Sequence, residues 1–307
     1  MTSMLRRKAE RIDDLAESGG TSLAVDAVKR MARNPVAVVG AVITVLFVLL
    51  AIFAPFLAPK NPYIPYDELR ANLRPDFIPG SMEGFVMGSD HRGYDFFSRL
   101  LVGAQQTLVV GVVATIIGAT IGMVIGGLAG ALGGWVDTVL MRFTDILLAI
   151  PSLLLAISIA ALFQGTQWTV IIAVAVVSVP VFARLLRGAM LSQRSSDHVL
   201  AATALGVKRS TIVFRHMLPN SLGPVVVQAT LTLATSIIDV AALSFLGLGD
   251  NDTSRAEWGL MLAQAQNLLD VKPSLAFYPA IAIIVVALGF TLLGESLREA
   301  LDPKNRR

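Results

Sequence analysis

Residues 146–183 read ILLAIPSLLLAISIAALFQGTQWTVIIAVAVVSVPVFA, an uncharged run of 38 residues. A helix that crosses a bilayer needs about 20 apolar residues, so this run is too long for one span and must turn back. The polar tetrapeptide QGTQ at 164–167 interrupts it near its middle. We therefore predict two membrane helices, at 146–163 and 168–183, joined by a tight hairpin.

Four further uncharged stretches continue this pattern, at 36–59, 100–136, 216–238 and 273–294. Composition agrees with a membrane protein, because 54% of the 307 residues are hydrophobic, 15% are charged and the mean hydropathy is +0.68, which excludes an ordinary water-soluble enzyme. We predict an all-α membrane protein with six transmembrane helices, at 36–57, 108–132, 146–163, 168–183, 224–246 and 275–293.

Lys and Arg are distributed unevenly between the segments that alternate across these spans. Eighteen of the 25 lie in the segments on the side of the two termini, and seven lie in the others. Because basic residues collect in cytoplasmic loops, both termini are predicted to be cytoplasmic in a multi-pass plasma (inner) membrane protein. The excess of basic residues is thereby explained by the lipid bilayer, which is the expected partner, and no nucleic acid is expected to bind.

The predicted spans divide the chain into five regions. The first span is longer than the apolar core of a signal peptide and is predicted to stay as an anchor. Within the leading segment, 22–33 form either a helix at the lipid surface or a frayed basic tail. The regions are the cytoplasmic segment 1–35, the first transmembrane helix 36–57, the extracytoplasmic loop 58–107, a five-helix core 108–293 that includes a cytoplasmic loop 184–223, and a cytoplasmic tail 294–307.

The second span carries glycines at four-residue spacing on one helix face, namely Gly118, Gly122, Gly126 and Gly130. Small residues let another helix approach closely in lipid, where no hydrophobic effect drives association. The face is predicted to be a helix-packing interface. Its partner is either a helix of this chain or a helix of a second subunit.

Three charged residues lie in or beside predicted spans, where each is costly unless it is paired or hydrated. Arg142 and Asp145 are three residues apart and are predicted to pair with each other at the start of the third span. Asp239 lies inside the fifth span, and it is predicted to line a pore or a subunit interface. An outer-interface position is the alternative.

The extracytoplasmic loop 58–107 contains Asp90, Arg92 and Asp95 around Gly93. Asp and Gly are turn-forming residues, so these residues are predicted to fold the loop. The other interpretation is that Asp90, Arg92 and Asp95 form an extracytoplasmic gate or contact a binding protein.

The cytoplasmic loop 184–223 is long enough to suggest a function. Capping candidates precede a short helix at 198–205, Gly206 supplies its stop, and a second helix is predicted from Arg209 to Pro219. The first helix presents an apolar surface of Leu200, Ala201, Ala204 and Leu205. That surface either docks in a groove of a partner or lies on its own domain.

This loop resembles the EAA loop of ABC importer permeases. The matching residues are Ala201, Ala202, Gly206, Leu218 and Pro219, at the family's spacing, whereas Leu200 stands where the family has Glu and His216 where it has Ile. The resemblance implies that the loop is a coupling helix for ATPase subunits. The implied ATPase-coupling residues are Leu200, Ala201, Ala202, Leu205, Gly206, Leu218 and Pro219.

Six further strings resemble the C-type membrane subunit of the dipeptide/oligopeptide/nickel importers, from about residue 30 to the C-terminus. The resemblance implies the ABC importer permease fold, a homologous second permease subunit, ATPase subunits and an extracytoplasmic substrate-binding protein. The family usually has Glu at the position of Val240. The strings are RNPVAVVGAV, GSDHRGYDFFSRLL, MRFTDILLAIP, LSFLGLG, EWGLML and LREALDP.

The chain has no Gly-Lys dipeptide and hence no P-loop to hold ATP phosphates. We therefore expect no catalytic residue and no cofactor on this chain, with ATP and Mg bound by the partner subunits. The absence of Cys excludes a thiolate metal site, and no metal is expected. Di- or oligopeptides are preferred as substrate over nickel, because the spans after the first carry no Cys, no His and one acid. Nickel complexes and other small organic solutes remain alternatives.

Two other functions fit the sequence less well. The string GLGD at 247–250 and the pair YD at 94–95 are similar to the signatures of intramembrane aspartyl proteases, but both lie in polar loops, where two carboxylates cannot share a shielded site. An ion-coupled secondary transporter would carry several ionisable groups within its spans, whereas this chain has Asp239 alone clearly inside one.

Overall fold

The computed structural model describes residues 28–71, 83–163 and 165–301. Within these ranges the chain is mostly helical, and an isolated β-bridge joins Ser89 and Asp95. The all-α fold class is thus confirmed. The helices are α1 Pro35–Leu57, α2 Asp67–Arg70, α3 Phe96–Leu132, α4 Gly134–Ala149, α5 Ser152–Leu162, α6 Gln167–Arg194, α7 Asp197–Ala204, α8 Arg209–Ile212, α9 Leu218–Asn220, α10 Leu222–Phe245, α11 Trp258–Ala265 and α12 Ser274–Leu301.

Part of the predicted lipid-surface helix at 22–33 lies outside the described residues, which begin at 28. Residues 28–31 are helical. The loop segment 72–82 and the tail 302–307 also lie outside the described ranges.

Five described helices are each long and apolar enough to cross a membrane, namely α1, α3, α6, α10 and α12. The start of α1 and the end of α12 lie together, since Asn34 donates to Glu299 over 3.5 Å. The end of α3 lies beside the segment 209–220. We call this end of the bundle, which also holds the start of α1 and the end of α12, the basic end. The segments 58–71, 83–95 and 246–273 lie at the opposite end, where Arg99 reaches the backbone of Arg255.

The third predicted span, 146–163, is wrong as a single straight helix. The chain makes this crossing as α4 and α5, which are bent by 92° across a short break. Pro151 causes the break, because it cannot donate a helical hydrogen bond and it forces Ile150 into an extended conformation (φ −92°, ψ 131°). The α4 helix starts at the basic end and α5 ends near loop 246–273, so the pair, counted as one broken span, makes a sixth candidate crossing.

Several helices continue beyond the predicted spans. The span predicted to end at residue 183 extends as α6 to Arg194, so the loop predicted to begin at 184 is helical in its first part. The charged residues after position 183 end the apolar run but not the helix, because Arg and Leu both favour a helical conformation. At the other extreme, α3 begins at Phe96 because the Asp95 carboxylate accepts a hydrogen bond from the Ser98 N–H.

The glycine face of α3 packs against α6 of the same chain, which decides between the two predicted partners. A Cβ built on Gly122 would lie 2.5 Å from the Val179 carbonyl oxygen, and one on Gly130 would lie 3.0 Å from the Met190 Cβ. Cβ atoms on Gly118 and Gly126 would overlap α6 even more closely. Only glycine permits this approach of the two backbones.

The predicted pair between Arg142 and Asp145 is wrong. Asp145 pairs instead with Arg184 of α6, and Asp137 accepts two hydrogen bonds from Arg187, one turn further along. The prediction failed because it ended the fourth span at residue 183, whereas the extended α6 brings both arginines alongside α4. These two ion pairs hold α4 to α6 near the basic end.

Candidate functional site

The short helix predicted in the loop is present as α7 and closes in a Schellman motif. Gly206 adopts φ +74°, the Val207 N–H donates to the Ala202 carbonyl over 3.1 Å, and the Gly206 N–H donates to the Thr203 carbonyl over 3.0 Å. A left-handed backbone conformation at this position strongly favours glycine. The predicted stop signal is therefore confirmed.

One face of α7 is packed on the bundle and the other is exposed. Val199 and Ala202 are buried in a cluster with Leu186 and Met190 of α6. Leu200 is 55% exposed and Leu205 is 83% exposed, and the exposed surface also includes Ala201 and Ala204. We call the face formed by Leu200, Ala201, Ala204 and Leu205 the docking face. The helix therefore rests on its own domain through Val199 and Ala202, while the predicted apolar surface faces outward. Its docking in a groove of a partner stays a prediction.

The second part of the loop differs from the predicted single helix that ends at Pro219. After α8 the backbone widens into a π-helical turn, Val213–Met217, and Pro219 lies in the first turn of α9. The wider turn accommodates a residue that has no N–H to donate. Arg209 ties the start of the segment to α3 by donating to the Leu132 carbonyl over 3.0 Å, and within the segment the Asn220 amide donates to the His216 carbonyl over 2.8 Å.

Asp239 lies on a face of α10 that the rest of the described chain covers only in part. It is half-buried, and the described residues supply no hydrogen bond or ion pair to its carboxylate. Gln228 and Thr235 stand on the same face, because spacings of seven and four residues return to one side of a helix. The sequence analysis did not single out these two residues, although a helical wheel of the span would have shown the polar stripe. We call Gln228, Thr235 and Asp239 the α10 stripe.

The neighbouring position has the opposite environment. Val240 is 1% exposed and packs in an apolar cluster with Val110 and Val174. A one-residue step rotates a helical side chain by about 100°, so Asp239 faces outward where Val240 faces the core. The Asp239 carboxylate therefore cannot take the place of an acid at position 240, because the two side chains point to different sides of α10.

The extracytoplasmic-loop residues are used mainly to fold the chain. The Asp90 carboxylate accepts hydrogen bonds from the Arg92 and Tyr94 N–H groups, and Asp95 caps α3. Both acids are buried, which agrees with the predicted role in folding the loop, whereas the gate or binding-protein contact stays a prediction. Arg92 is half-buried and is the member of the trio that still reaches the surface.

Arg99 joins the two loops at this end of the bundle. Its side chain is fully buried, its Nε lies 3.7 Å from Asp90, and its Nη2 donates to the Arg255 carbonyl over 2.9 Å. The guanidinium also lies 4.5 Å from the centre of the Tyr94 ring. The sequence analysis treated this residue as one basic residue of a polar loop, and only the packing of the loops shows its role.

A second polar cluster surrounds Glu257, at the start of α11. Ser244 donates to the Glu257 carboxylate over 2.9 Å, and the carboxylate's other oxygen has no hydrogen-bond partner in the described structure. Nearby, Arg255 donates to Gln167 over 2.7 Å and lies 3.0 Å from Asp250. Burial raises the pKa of Glu257 to about 7, although hydrogen bonds from Ser244 and from the Gly259 N–H oppose the rise.

Replacing Glu257 by glutamine should flatten the pH dependence of stability. The folded chain holds this proton up to about pH 7, whereas the ordinary value is 4.5. The stability that the proton contributes is complete below pH 4.5 and is lost as the pH rises through 7, a change of roughly 3 kcal/mol. Glu257→Gln keeps the acceptor for Ser244 without the charge. Between pH 5 and pH 8 the melting temperature of the native chain should fall, while that of the variant should stay level. Parallel pH profiles of the two melting temperatures would contradict the raised pKa of Glu257.

Comparison with known proteins agrees with this architecture. Residues 122–307 match the family described as binding-protein-dependent transport system inner membrane component. The chain belongs to this family. Residues 22–75 additionally match the N-terminal transmembrane domain of oligopeptide transport permease C, which confirms the resemblance drawn from the six sequence strings.

Individual relatives cover nearly the whole chain. The dipeptide transport system permease protein DppC of Alkalihalophilus pseudofirmus is 40% identical over 279 residues, covering 91% of this chain and 89% of the relative. The glutathione transport system permease protein GsiD of Shigella flexneri is 43% identical over 278 residues, covering 90% and 89%. A chain of the inward-facing MetNI methionine ABC transporter shares the fold, with a TM-score of 0.55 at 19% identity, covering 66% of this chain and 96% of that chain.

This permease is thus the membrane subunit of an ATP-binding-cassette importer and a multi-pass inner membrane protein, and it is not an enzyme by itself. Importers of this family combine such a subunit with ATPase subunits, a partner permease and a substrate-binding protein. Asp95 and Asp250 do not form the carboxylate pair of an aspartyl protease, because Asp95 caps α3 and Asp250 pairs with Arg255.

Proposed function

We propose that this permease forms half of a translocation pathway for di- and oligopeptides. The α10 stripe carries the proposal, because a membrane helix that exposes Thr235 and buries Gln228 and Asp239 only in part needs water, cargo or a second subunit against that face. The partner permease would close the pathway around it. The relatives named for dipeptide and glutathione transport support a cargo that is rich in amide groups.

Amide-rich cargo suits the chemistry of the stripe. The Gln228 amide donates one hydrogen bond to the Thr232 hydroxyl over 3.1 Å and keeps its second N–H and its oxygen for cargo. The Asp239 carboxylate is an acceptor for the ammonium group of a peptide. A carboxylate and an amide spaced along one helix can guide a polar molecule without enclosing it in a tight site. Nickel enclosed in a chelate is the alternative cargo for the same importer.

Uptake by the reconstituted importer tests the substrate. The complete complex in proteoliposomes, supplied with its binding protein and internal or external ATP as its orientation requires, should accumulate labelled dipeptides. Labelled nickel and labelled glutathione are presented in parallel. Peptide uptake that survives metal chelation agrees with the proposal, and nickel accumulation without peptide uptake would overturn it.

The docking face would take the ATPase subunits. Its apolar side chains project beyond the bundle at the end where α3, α6 and α10 meet, so a displacement of α7 would be passed to three membrane helices. Leu200 carries no charge, so contact at this position would be apolar instead of an ion pair. ATP and Mg would be held by the partner subunits.

We assign the basic end, with both chain termini, to the cytoplasm. The distribution of Lys and Arg supports this orientation, and the absence of native cysteine allows a clean test. Val86→Cys and Leu269→Cys, both exposed at the opposite end, should react with an impermeant maleimide on intact cells, while Ser195→Cys should react only after the cells are permeabilised. The reverse labelling would contradict the orientation.

Asp239→Asn should reduce transport while leaving membrane insertion intact. A hydrogen bond to a charged group contributes about 1.5–3 kcal/mol, so the initial rate of peptide uptake should fall about tenfold or more. Asp270→Asn is the matched control, because it makes the same change at an exposed loop position. If the two variants transport at equal rates, Asp239 has no role in the pathway.

A further inference from the structure

A large apolar groove lies at the basic end, apart from the docking face and the α10 stripe. Its volume is about 700 Å³, and it runs between α3, α6 and the segment from Arg209 to Leu222. Val124 and Leu128 of α3 are about half exposed along one wall, and Phe214 is 70% exposed on the other. The residues that line it are apolar except for Thr120, Arg209 and Ser210.

The length of the groove matches one leaflet of a bilayer. Its lining residues on α3 run from Thr120 to Leu132, which is about 18 Å at 1.5 Å per residue. The hydrocarbon core of a bilayer is about 30 Å thick, so one leaflet contributes about 15 Å. The groove therefore extends from near the membrane midplane to the basic end.

A positive charge stands at the outer mouth of the groove. The Arg209 Nη2 donates to the Ala131 carbonyl over 2.6 Å and to the Leu132 carbonyl over 3.0 Å, which fixes the guanidinium at the last turn of α3. Lys208 precedes it in the chain, and no acidic residue lines the groove. The whole segment 184–223 has six basic residues and one acid, Asp197.

The charge and the dimensions of the groove favour an anionic lipid. A volume near 700 Å³ falls in the range of small-molecule pockets, and the charged residue of the lining is the basic Arg209. An apolar slot one leaflet deep, with a cation at its mouth, has the features of a site for a phospholipid with an anionic headgroup.

We propose that the groove binds an anionic phospholipid of the cytoplasmic leaflet, with an acyl chain along α3 and the phosphate at Arg209. The choice of leaflet rests on the orientation given under the proposed function. The lipid fills the space between α3 and the segment that follows the docking helix. It thereby supports the part of the chain whose movement reaches the ATPase subunits.

Gly127→Leu is the variant that fills the groove. A Cβ at Gly127 would lie 3.7 Å from the Leu186 Cδ2, an ordinary contact, so the longer side chain enters the groove without displacing α6. Gly188→Leu is its matched control, because that glycine of α6 is exposed and has nothing within 4 Å of a built Cβ. Arg209→Gln removes the charge at the mouth, and Arg209→Lys restores it.

The test uses the complete importer in nanodiscs that contain phosphatidylglycerol or phosphatidylcholine with a photoactivatable acyl chain. Cross-linked peptides are located by mass spectrometry, without ATP or substrate, so the result is independent of what the importer transports. Phosphatidylglycerol should cross-link to the groove several-fold more than phosphatidylcholine. Gly127→Leu should lower this signal at least fivefold, Gly188→Leu should retain it, and the headgroup preference should be lost in Arg209→Gln and kept in Arg209→Lys.

Two outcomes would overturn the proposal. Equal cross-linking in Gly127→Leu and Gly188→Leu would place the lipid elsewhere. Loss of the partner permease from the Gly127→Leu complex, with no groove cross-link in the native complex, would show that a helix of the partner occupies the groove. The orientation is tested separately by the cysteine labelling on intact cells, because the two faces of a nanodisc are equivalent.

Discussion

Ala201→Asp is expected to leave the membrane bundle intact and to abolish coupling to the ATPase subunits. Ala201 is exposed on the docking face, so an aspartate there disturbs no core packing in this chain. In the assembled importer the same carboxylate would be buried against a partner. Burying an uncompensated charge costs at least about 2 kcal/mol, which corresponds to a loss of about tenfold or more in ATPase capture.

The measurement is ATPase retention and substrate-stimulated ATP hydrolysis by the purified complex. Ala201→Ser should retain both, because it is small and uncharged. Ala71→Asp is the charge control, since Ala71 is an exposed alanine at the opposite end of the bundle. If Ala201→Asp retains its ATPase subunits and stimulated hydrolysis, then the coupling role proposed for the docking face is wrong.

Gly126→Leu is expected to have the largest effect on folding. A Cβ at this position would overlap the Ala183 carbonyl and Cα, which belong to the backbone of α6 and cannot rotate away. Overpacking of this kind costs about 3 kcal/mol or more. The displacement would also strain the ion pairs that Arg184 and Arg187 make to α4.

The adjacent residue supplies the control. Gly127→Leu makes the same chemical change one position along α3, where a Cβ meets only the Leu186 Cδ2 at 3.7 Å. The melting temperature and yield of the Gly126→Leu chain should drop sharply, while those of Gly127→Leu should stay near the native values. Similar behaviour of both variants would contradict the packing of α3 on α6.

Patterns that depend on local chemistry were predictable from the sequence. The apolar runs located the membrane helices because lipid requires about 20 apolar residues in each span. Gly206 marked the end of α7 because a left-handed residue there has no good alternative. The glycines of α3 indicated a close interface because their spacing is a property of one helix.

Features that depend on the meeting of distant segments were not predictable in the same way. The partner of the glycine face was open until α6 was seen against it, and Asp145 was assigned to Arg142 because its true partner, Arg184, lies on another helix. The burial of Arg99 and Glu257 arises only when two loops close over them. Pro151 is a local signal, and its effect as a sharp bend could have been drawn from the sequence.

The most direct test of the coupling account is photocross-linking from the docking face. Leu205→Cys introduces the only cysteine of this chain at a residue that is 83% exposed, and benzophenone maleimide attached there reports which subunit it touches. Val86→Cys, 63% exposed at the opposite end, is the control. The account predicts an adduct between Leu205→Cys and an ATPase subunit and none from Val86→Cys. An ATPase adduct from position 86 but not from position 205 would contradict it.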